Sequence, residues 1–364
     1  ACATAAQASA SLPLARPGGG ETQTASSAPR TATLTAPTAP TATKGTFSGL
    51  GAADMMAARA AFDEADRGNW TAASQYRGQI ADPTAAKLIV WTRLISDDSA
   101  PAFAEIVGFM EQNPDWPRRF ILEARAERAL LSYPMSNDDL LAWFEDHPPQ
   151  TGEGRIRYGK TLIEVGRADE GAGWIRRAWI ENDFGSSRQK EILAAYGKYL
   201  NTEAQQARLA RLLWEQRTSD ARTTAALVGQ AERALADARI QLIAGSSKAP
   251  SALSQVPAPL RADPGLLYDQ VRYERRRGNE HGALPLLLTA PTEPHKMVRP
   301  DSWWVERKIL TRKAMSQGLY EEAYKIAAGN GLSEGVDFAE AEFLAGWIAL
   351  QYLNKADAAL VHFR

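Results

Sequence analysis

Four histidines, one cysteine and several doubled carboxylates are the residues of this chain that could do chemistry. His147, His281, His295 and His362 are scattered over loops and helix ends, and Cys2 is remote from all of them, so no zinc-like ligand spacing exists. There is no GxGxxG or GxxxxGK(S/T) loop to cradle a phosphate and no GxSxG elbow to carry a nucleophile. The pairs Asp97-Asp98, Asp138-Asp139 and Glu321-Glu322 fall at turns or helix starts, where carboxylates favour the positive end of the helix dipole. Capping accounts for them better than acid-base catalysis. No catalytic residue, metal or cofactor is expected.

A second group of residues suits recognition. The stretch "RPDSWWVERKILTRKAMSQGLYEEAYKIAA", residues 299–328, opens a helix with two adjacent tryptophans. At about 100° per residue, Trp303, Leu310 and Ala314 share a narrow arc, and Trp304 and Met315 lie about a third of a turn away. Trp303 is therefore expected in the packed face and Trp304 at its margin, with Ser302 as cap behind Pro300. Arg307 falls about 40° from Trp303, an unusual place for a charge. Two readings follow for it: a carbonyl-bonding arginine whose stem packs on the tryptophans, or a cation facing an inner surface. The first is the expectation. The other tryptophans, ten in all with these two, sit mostly at comparable positions and read as packing residues.

The elements that position these residues are helical throughout. From Phe47 onward the chain is rich in Ala, Leu, Arg and Glu with aromatics at helical spacing, and no run of alternating β-branched residues appears. The breaks between helices rhyme: Gly68, Gly278 and Gly318 are each followed five residues later by Ala73, Ala283 and Ala323, Gly166 by Gly171, and Asn354 by Ala359. Gly or Asn can end a helix in the left-handed conformation, and a small residue early in the next helix lets the two backbones approach. Arg272 and Arg312 also match, each six residues before its glycine. The spacing of Gly278, Gly318 and Asn354 is that of helical-hairpin repeats, roughly 34–47 residues. The fold class expected is all-α, an α-solenoid or superhelix of TPR-like hairpins.

The expected domains are a disordered Ala/Thr/Pro-rich tail over 1–46, a superhelix over 47–244, a Pro/Ser-rich linker at 245–265 and continuing superhelix over 266–364. The hairpin at the end of the sequence leaves Leu360, Val361 and Phe363 without a following repeat, so a longer polypeptide is expected. With 42 Lys and Arg against 43 Asp and Glu, there is no basic excess for nucleic acid. No apolar run reaches the roughly 18 residues of a membrane span. The small residues of "ACATAAQASA" suggest export, and Cys2 could be the acylated residue of a lipoprotein and so a membrane tether.

The stretch from Arg299 to Phe363, with its Trp303-Trp304 start, its "GLYEEAYKIAAGNGL" turn and its "FAEAEFLAGWIAL" helix, resembles the superhelical scaffold of soluble lytic transglycosylases of Gram-negative bacteria. Trp303, Gly318, Tyr320, Ala323, Gly346 and Trp347 carry the signature. "YDQVRYERRRGNEHGALPLLL" and "NPDWPRRFILEARAE" resemble earlier hairpins of that scaffold. The resemblance implies a periplasmic enzyme that cleaves MurNAc–GlcNAc bonds of peptidoglycan to 1,6-anhydromuropeptides, with one carboxylic acid as general acid and then base. That acid belongs to a Glu-Ser motif in a C-terminal lysozyme-like domain, and this sequence has no Glu-Ser dipeptide. What the resemblance implies here is the non-catalytic scaffold, with peptidoglycan glycan strands as partner and Trp304 and Arg307 as candidate glycan-facing residues. The alternative is a stand-alone TPR-like module that binds another periplasmic protein.

Overall fold

The computed structural model describes residues 49–364. The expectations for the 1–46 tail and for Cys2 lie outside the described residues. From Ala52 to Arg364 the chain forms one compact unit, all helical, with no strand among the described residues. Helices α1 (Ala52–Asp66) and α2 (Trp70–Arg77) pair as a hairpin, as do α7 (Gly152–Glu164) and α8 (Ala168–Glu181). Between them follow α3 (Pro83–Ile95), α4 (Phe103–Gln112), α5 (Arg119–Ala129) and α6 (Asn137–Asp146), with α4 packed on α5 and α6 on α7. After α9 (Ser186–Tyr196), α10 (Thr202–Trp214) pairs with α11 (Thr218–Ala225), α12 (Gln230–Ile243) with α13 (Ala249–Ser254), and α14 (Pro264–Arg276) with α15 (Glu280–Leu288). The short α16 (Pro294–Met297) precedes α17 (Pro300–Ser316) with α18 (Tyr320–Ala328), and α19 (Gly335–Gln351) with α20 (Ala356–His362).

The hairpin turns are built as the residue pattern predicts. Gly68, Gly166, Gly278, Gly318 and Asn354 all have φ between 54° and 89°. In four of the turns the next N–H donates to the carbonyl five residues back: Asn69 to Glu64, Arg167 to Leu162, Asn279 to Glu274 and Leu319 to Ala314, at 2.8–3.0 Å. This bond satisfies a carbonyl that the ending helix would leave orphaned. The small residues five positions on, Ala73, Ala283, Ala323 and Ala359, are buried where the two helices meet. Between α7 and α8 the approach is closest: a Cβ on Gly171 would lie 2.4 Å from the carbonyl oxygen of Gly159. One further turn of the same kind escapes the pattern. Gln216 takes φ 59°, Arg217 N–H donates to Leu212 O at 2.8 Å, and Ala221 is buried five residues on.

Alternate helices stack: α1 on α3, α3 on α5, α5 on α7, then α10 on α12, α12 on α14, α14 on α17 and α17 on α19. The arrangement is superhelical, and apolar clusters follow one another along the stack. Ion pairs join neighbouring layers on their flanks. Arg272 of α14 lies 3.9 Å from Glu306 of α17, and Arg312 of α17 bonds Glu340 of α19 at 2.7 Å.

Two sequence expectations are corrected. Residues 245–265 are not a bare linker: α13 and a 3-10 turn at Ala258–Leu260 lie within them. Pro250 stands in the first turn of α13, where its missing N–H is harmless. Ala249 and Val256 are buried with Ala238, Leu242 and Tyr273 in one cluster. Second, α17 begins at Pro300, and Ser302 makes no capping bond.

Buried charge recurs. Asp269 and Arg239 are both buried and bonded at 2.7 Å. Burial pushes the Asp269 carboxyl up to about 6 in spite of its guanidinium partner. A carboxyl held above its ordinary 3.8 stabilises the fold most when protonated, so its contribution is full below about pH 4 and lost as pH rises through about 6. Wild-type melting temperature should decline across that window relative to Asp269→Asn, whose side chain does not titrate; parallel pH profiles would refute the assignment. Trp303 is fully buried, and Trp303→Ala should cost about 3–5 kcal/mol in urea unfolding followed by circular dichroism.

Candidate functional site

The residues singled out in the sequence do not form one site. Trp303 and Trp304 are both 0 % exposed and Arg307 2 %, so the glycan-facing assignment of Trp304 and Arg307 is corrected. The reason is that α17 has neighbours on most sides, α14, α15 and α16, its hairpin partner α18, and α19. The buried arc is therefore wider than a two-layer helix would have. Trp303 Nε1 donates to Met297 O at 3.1 Å. Arg307 donates to Pro291 O at 2.9 Å and Ile326 O at 3.3 Å, its Cζ 5.8 Å from the Trp303 ring centre. Burial, with no carboxylate in salt-bridge range among the described residues, lowers its pKa to about 10. The carbonyl-bonding reading describes Arg307.

Of the other signature residues, Gly318 and Ala323 build the α17–α18 turn. Gly346 leaves room for the Phe363 ring, which would lie 2.6 Å from a Cβ there. Tyr320 stacks on Tyr352 at 4.3 Å, and Trp347, 37 % exposed, meets Tyr352 edge-on at 5.4 Å. Around Trp347 the outer face of α19 and α20 exposes Val336, Phe343, Leu350, Leu360, Val361 and Phe363.

The histidines offer no free base beside a nucleophile. His362 is the best placed, with Nδ1 2.7 Å from Glu342 and Nε2 3.2 Å from the Tyr324 hydroxyl. Both ring nitrogens are thus occupied in tying α18, α19 and α20 together. His147 stacks on Trp143 at 4.9 Å. No group of three His, Cys, Asp or Glu side chains suited to a metal ion occurs among the described residues. The acidic pairs behave as caps in part: Asp138 and Asp139 lie in the first turn of α6, and Glu321 and Glu322 in the first turn of α18.

The concave feature with most chemistry lies in the other half of the chain. Two adjoining cavities, about 610 and 570 Å³, share Asp97, Arg125 and Arg128. Together they form a groove from the turn after α3, over α5, to the start of α7 and to α9. Tyr133 lines one end, and Phe184 and Arg188 the other. Phe120, 62 % exposed, stands on its wall. Of its lining residues, Gln150 and Thr151 are held by Glu127, a buried carboxylate that accepts from their backbone N–H groups (2.6 and 2.8 Å) and from the Thr151 hydroxyl. Burial pushes the Glu127 carboxyl up against these donors.

Most charges in the groove are already paired. Glu153 takes a two-pronged bond from Arg188, Nε at 2.9 Å and Nη2 at 2.7 Å, which holds that guanidinium well above its ordinary range. Asp183 pairs with Arg211 at 2.9 Å and with Arg217. Arg125 and Arg128 differ. Arg125 donates from Nη2 to Ser99 O and, at 3.0 Å, to Ser99 Oγ. Its Nη1 is 3.5 Å from Asp97, and Arg128 is 3.9 Å from the same oxygen. The Asp97 side chain is 94 % exposed, so two guanidinium groups share one solvated carboxylate. Burial, then the charge of Arg128, lowers the Arg125 pKa. Such a groove can bind and orient a ligand; it holds no arrangement for bond cleavage. The sequence carries a local signal for it: Ile121, Ala124, Arg125 and Arg128 recur at three- and four-residue steps on one face of α5.

No known protein family, curated protein or solved structure matches the chain.

The contrast between the two kinds of arginine can be measured. Arg307→Ala removes a packed stem and strands two buried carbonyls, so it should cost about 2–4 kcal/mol in urea unfolding. Arg128→Ala, at an exposed position, should shift stability by no more than about 0.5 kcal/mol. Equal effects would refute the assignment of roles.

Proposed function

We propose that the chain is a non-catalytic helical scaffold of a periplasmic lytic transglycosylase, in which the groove across α3, α5, α7 and α9 holds a peptidoglycan strand beside catalytic machinery carried elsewhere. The observation that carries this reading is the groove itself. It is open, flanked by the Phe120 and Tyr133 rings, and holds two guanidinium groups, Arg125 and Arg128, that share the single solvated carboxylate of Asp97. Exposed rings suit stacking on sugars, and guanidinium groups suit the carboxylates of stem peptides. The likeness of residues 299–363 to a transglycosylase scaffold supports the choice of polymer. The chain's near-neutral balance, net charge -1, argues against a polyphosphate partner.

A second reading, a helical-repeat module that binds another protein, is favoured by one observation. Val336, Phe343 and Leu350 recur at seven-residue steps on the exposed face of α19, with Trp347 between them. Seven-residue apolar spacing is the seam along which helices pack.

Purified chain should co-sediment with isolated sacculi, less so as salt is raised, because exposed charge contacts are screened. Phe120→Ser, which removes an exposed ring, should release several-fold more protein. The same preparation should liberate no anhydromuropeptide. Failure of the wild-type chain to co-sediment would sink the strand-binding reading.

A further inference from the structure

We infer that Arg125 and Arg128 form a recognition point for the terminal carboxylate of an extended peptide, with Asp97 beside it able to take an ammonium group and Phe120 and Tyr133 flanking the bound chain. This deepens the strand-binding reading by naming the group recognised, a stem-peptide carboxylate.

The geometry argues from what is already occupied. Arg125 is anchored: its side chain is 6 % exposed and Nη2 is held by Ser99. Arg125 lines both cavities, and its Nη1, not engaged by Ser99, lies 3.5 Å from the solvated Asp97. Arg128, one turn on, is 67 % exposed and free to close over a ligand. A guanidinium fixed on one edge and an exposed one beside it suit a carboxylate, whose two oxygens can each take a charged N–H bond.

Charge selects the ligand further. Within 4 Å, two positive groups face one negative group, Asp97. Asp98, the next carboxylate, is turned to the Ser96 hydroxyl. One added negative charge completes the balance, whereas a phosphate dianion would overshoot it beside Glu153 and Asp183. Because Asp97 makes no closer contact than 3.5 Å and is almost wholly solvated, it can swing aside to meet a cation on the same ligand. The groove thus suits a peptide carrying both charges.

The test uses the whole chain and an N-acetylated tetrapeptide containing a diamino acid and ending in a free carboxylate, compared with its C-terminal amide by calorimetric titration. The acid should bind about tenfold more tightly than the amide, the size expected for losing one charge-assisted bond. Arg128→Gln, on an exposed side chain and so expected to fold, should weaken acid binding and so remove that preference. Equal affinity for acid and amide, a preference that survives Arg128→Gln, or no binding of the acid on the order of 1 mM would each overturn the inference. Sacculus co-sedimentation reads the broader proposal separately. Sacculus binding without a carboxylate preference sinks this inference alone, and a preference without sacculus binding sinks the strand reading alone.

Discussion

A buried guanidinium set against the carbonyl end of a neighbouring helix is the contact on which the stack depends. Arg125 of α5 reaches Ser99 O, beyond the end of α3. Arg208 of α10 reaches Trp179 O and Asn182 O at the end of α8, and Arg307 of α17 reaches Pro291 O, beyond α15. Ser99 O and Pro291 O belong to the connections. Trp179 O and, for Arg307, Ile326 O lie in the last turns of α8 and α18, where carbonyls have no intrahelical partner and carry the negative end of the dipole. A cation placed there satisfies orphan acceptors and is itself compensated, which an ordinary buried charge is not. Tryptophan completes the device twice, with Arg208 4.2 Å from the Trp179 ring and Arg307 5.8 Å from that of Trp303. Apolar packing between hairpins is permissive about how far one layer slides on the next. A donor that must meet particular carbonyls is not, and this sets the register of the superhelix.

Within each layer the constraint is different and local. A hairpin closes where one residue accepts φ near 60–90° and the chain five residues later is small. Glycine and asparagine announce such a turn, which is why the repeat could be seen in the sequence at Gly68, Gly166, Gly278, Gly318 and Asn354. Gln216 does the same work without the signature, and the strain of a left-handed glutamine is held by the Arg217–Leu212 bond and the burial of Ala221. Residues 245–265 were misleading for the opposite reason. Their prolines look like breakers, yet Pro250 and Pro264 sit in first turns of helices, where proline fits.

The wheel read from "SWWVERKILTRKAM" located the packed arc and the role of Arg307 but made the arc too narrow. Period alone gives the direction of burial, and its width depends on how many neighbours a helix has, which is a tertiary fact. Trp304 is buried because α19 and α14 to α16 also lie against α17. The groove was less legible still. Its residues come from the turn after α3, from α5, the start of α7, the α8–α9 turn and α9, and no local pattern joins Asp97 to Arg188. Only the stripe on α5 was readable in principle.

The same arginine device explains why the groove lies where it does. At Arg307 and Arg208 the guanidinium is enclosed, and backbone carbonyls take up donors at its Nη end while Nε is left without a partner among the described residues. At Arg125 the carbonyl of Ser99 occupies one edge only, and the neighbouring space stays open because the chain turns away at Asp97–Pro101 and because the paired Glu153 and Arg188 stand across it. A structural cation thus becomes available to a ligand through incomplete burial rather than through any added residue. Its position is fixed by the same bond that fixes the layer, so a ligand would meet a guanidinium already oriented, with little side-chain entropy left to lose on binding. Arg128 has no such anchor and would lose that freedom when it closes. A binding point that joins one anchored and one exposed cation would gain orientation from the first and adaptability from the second.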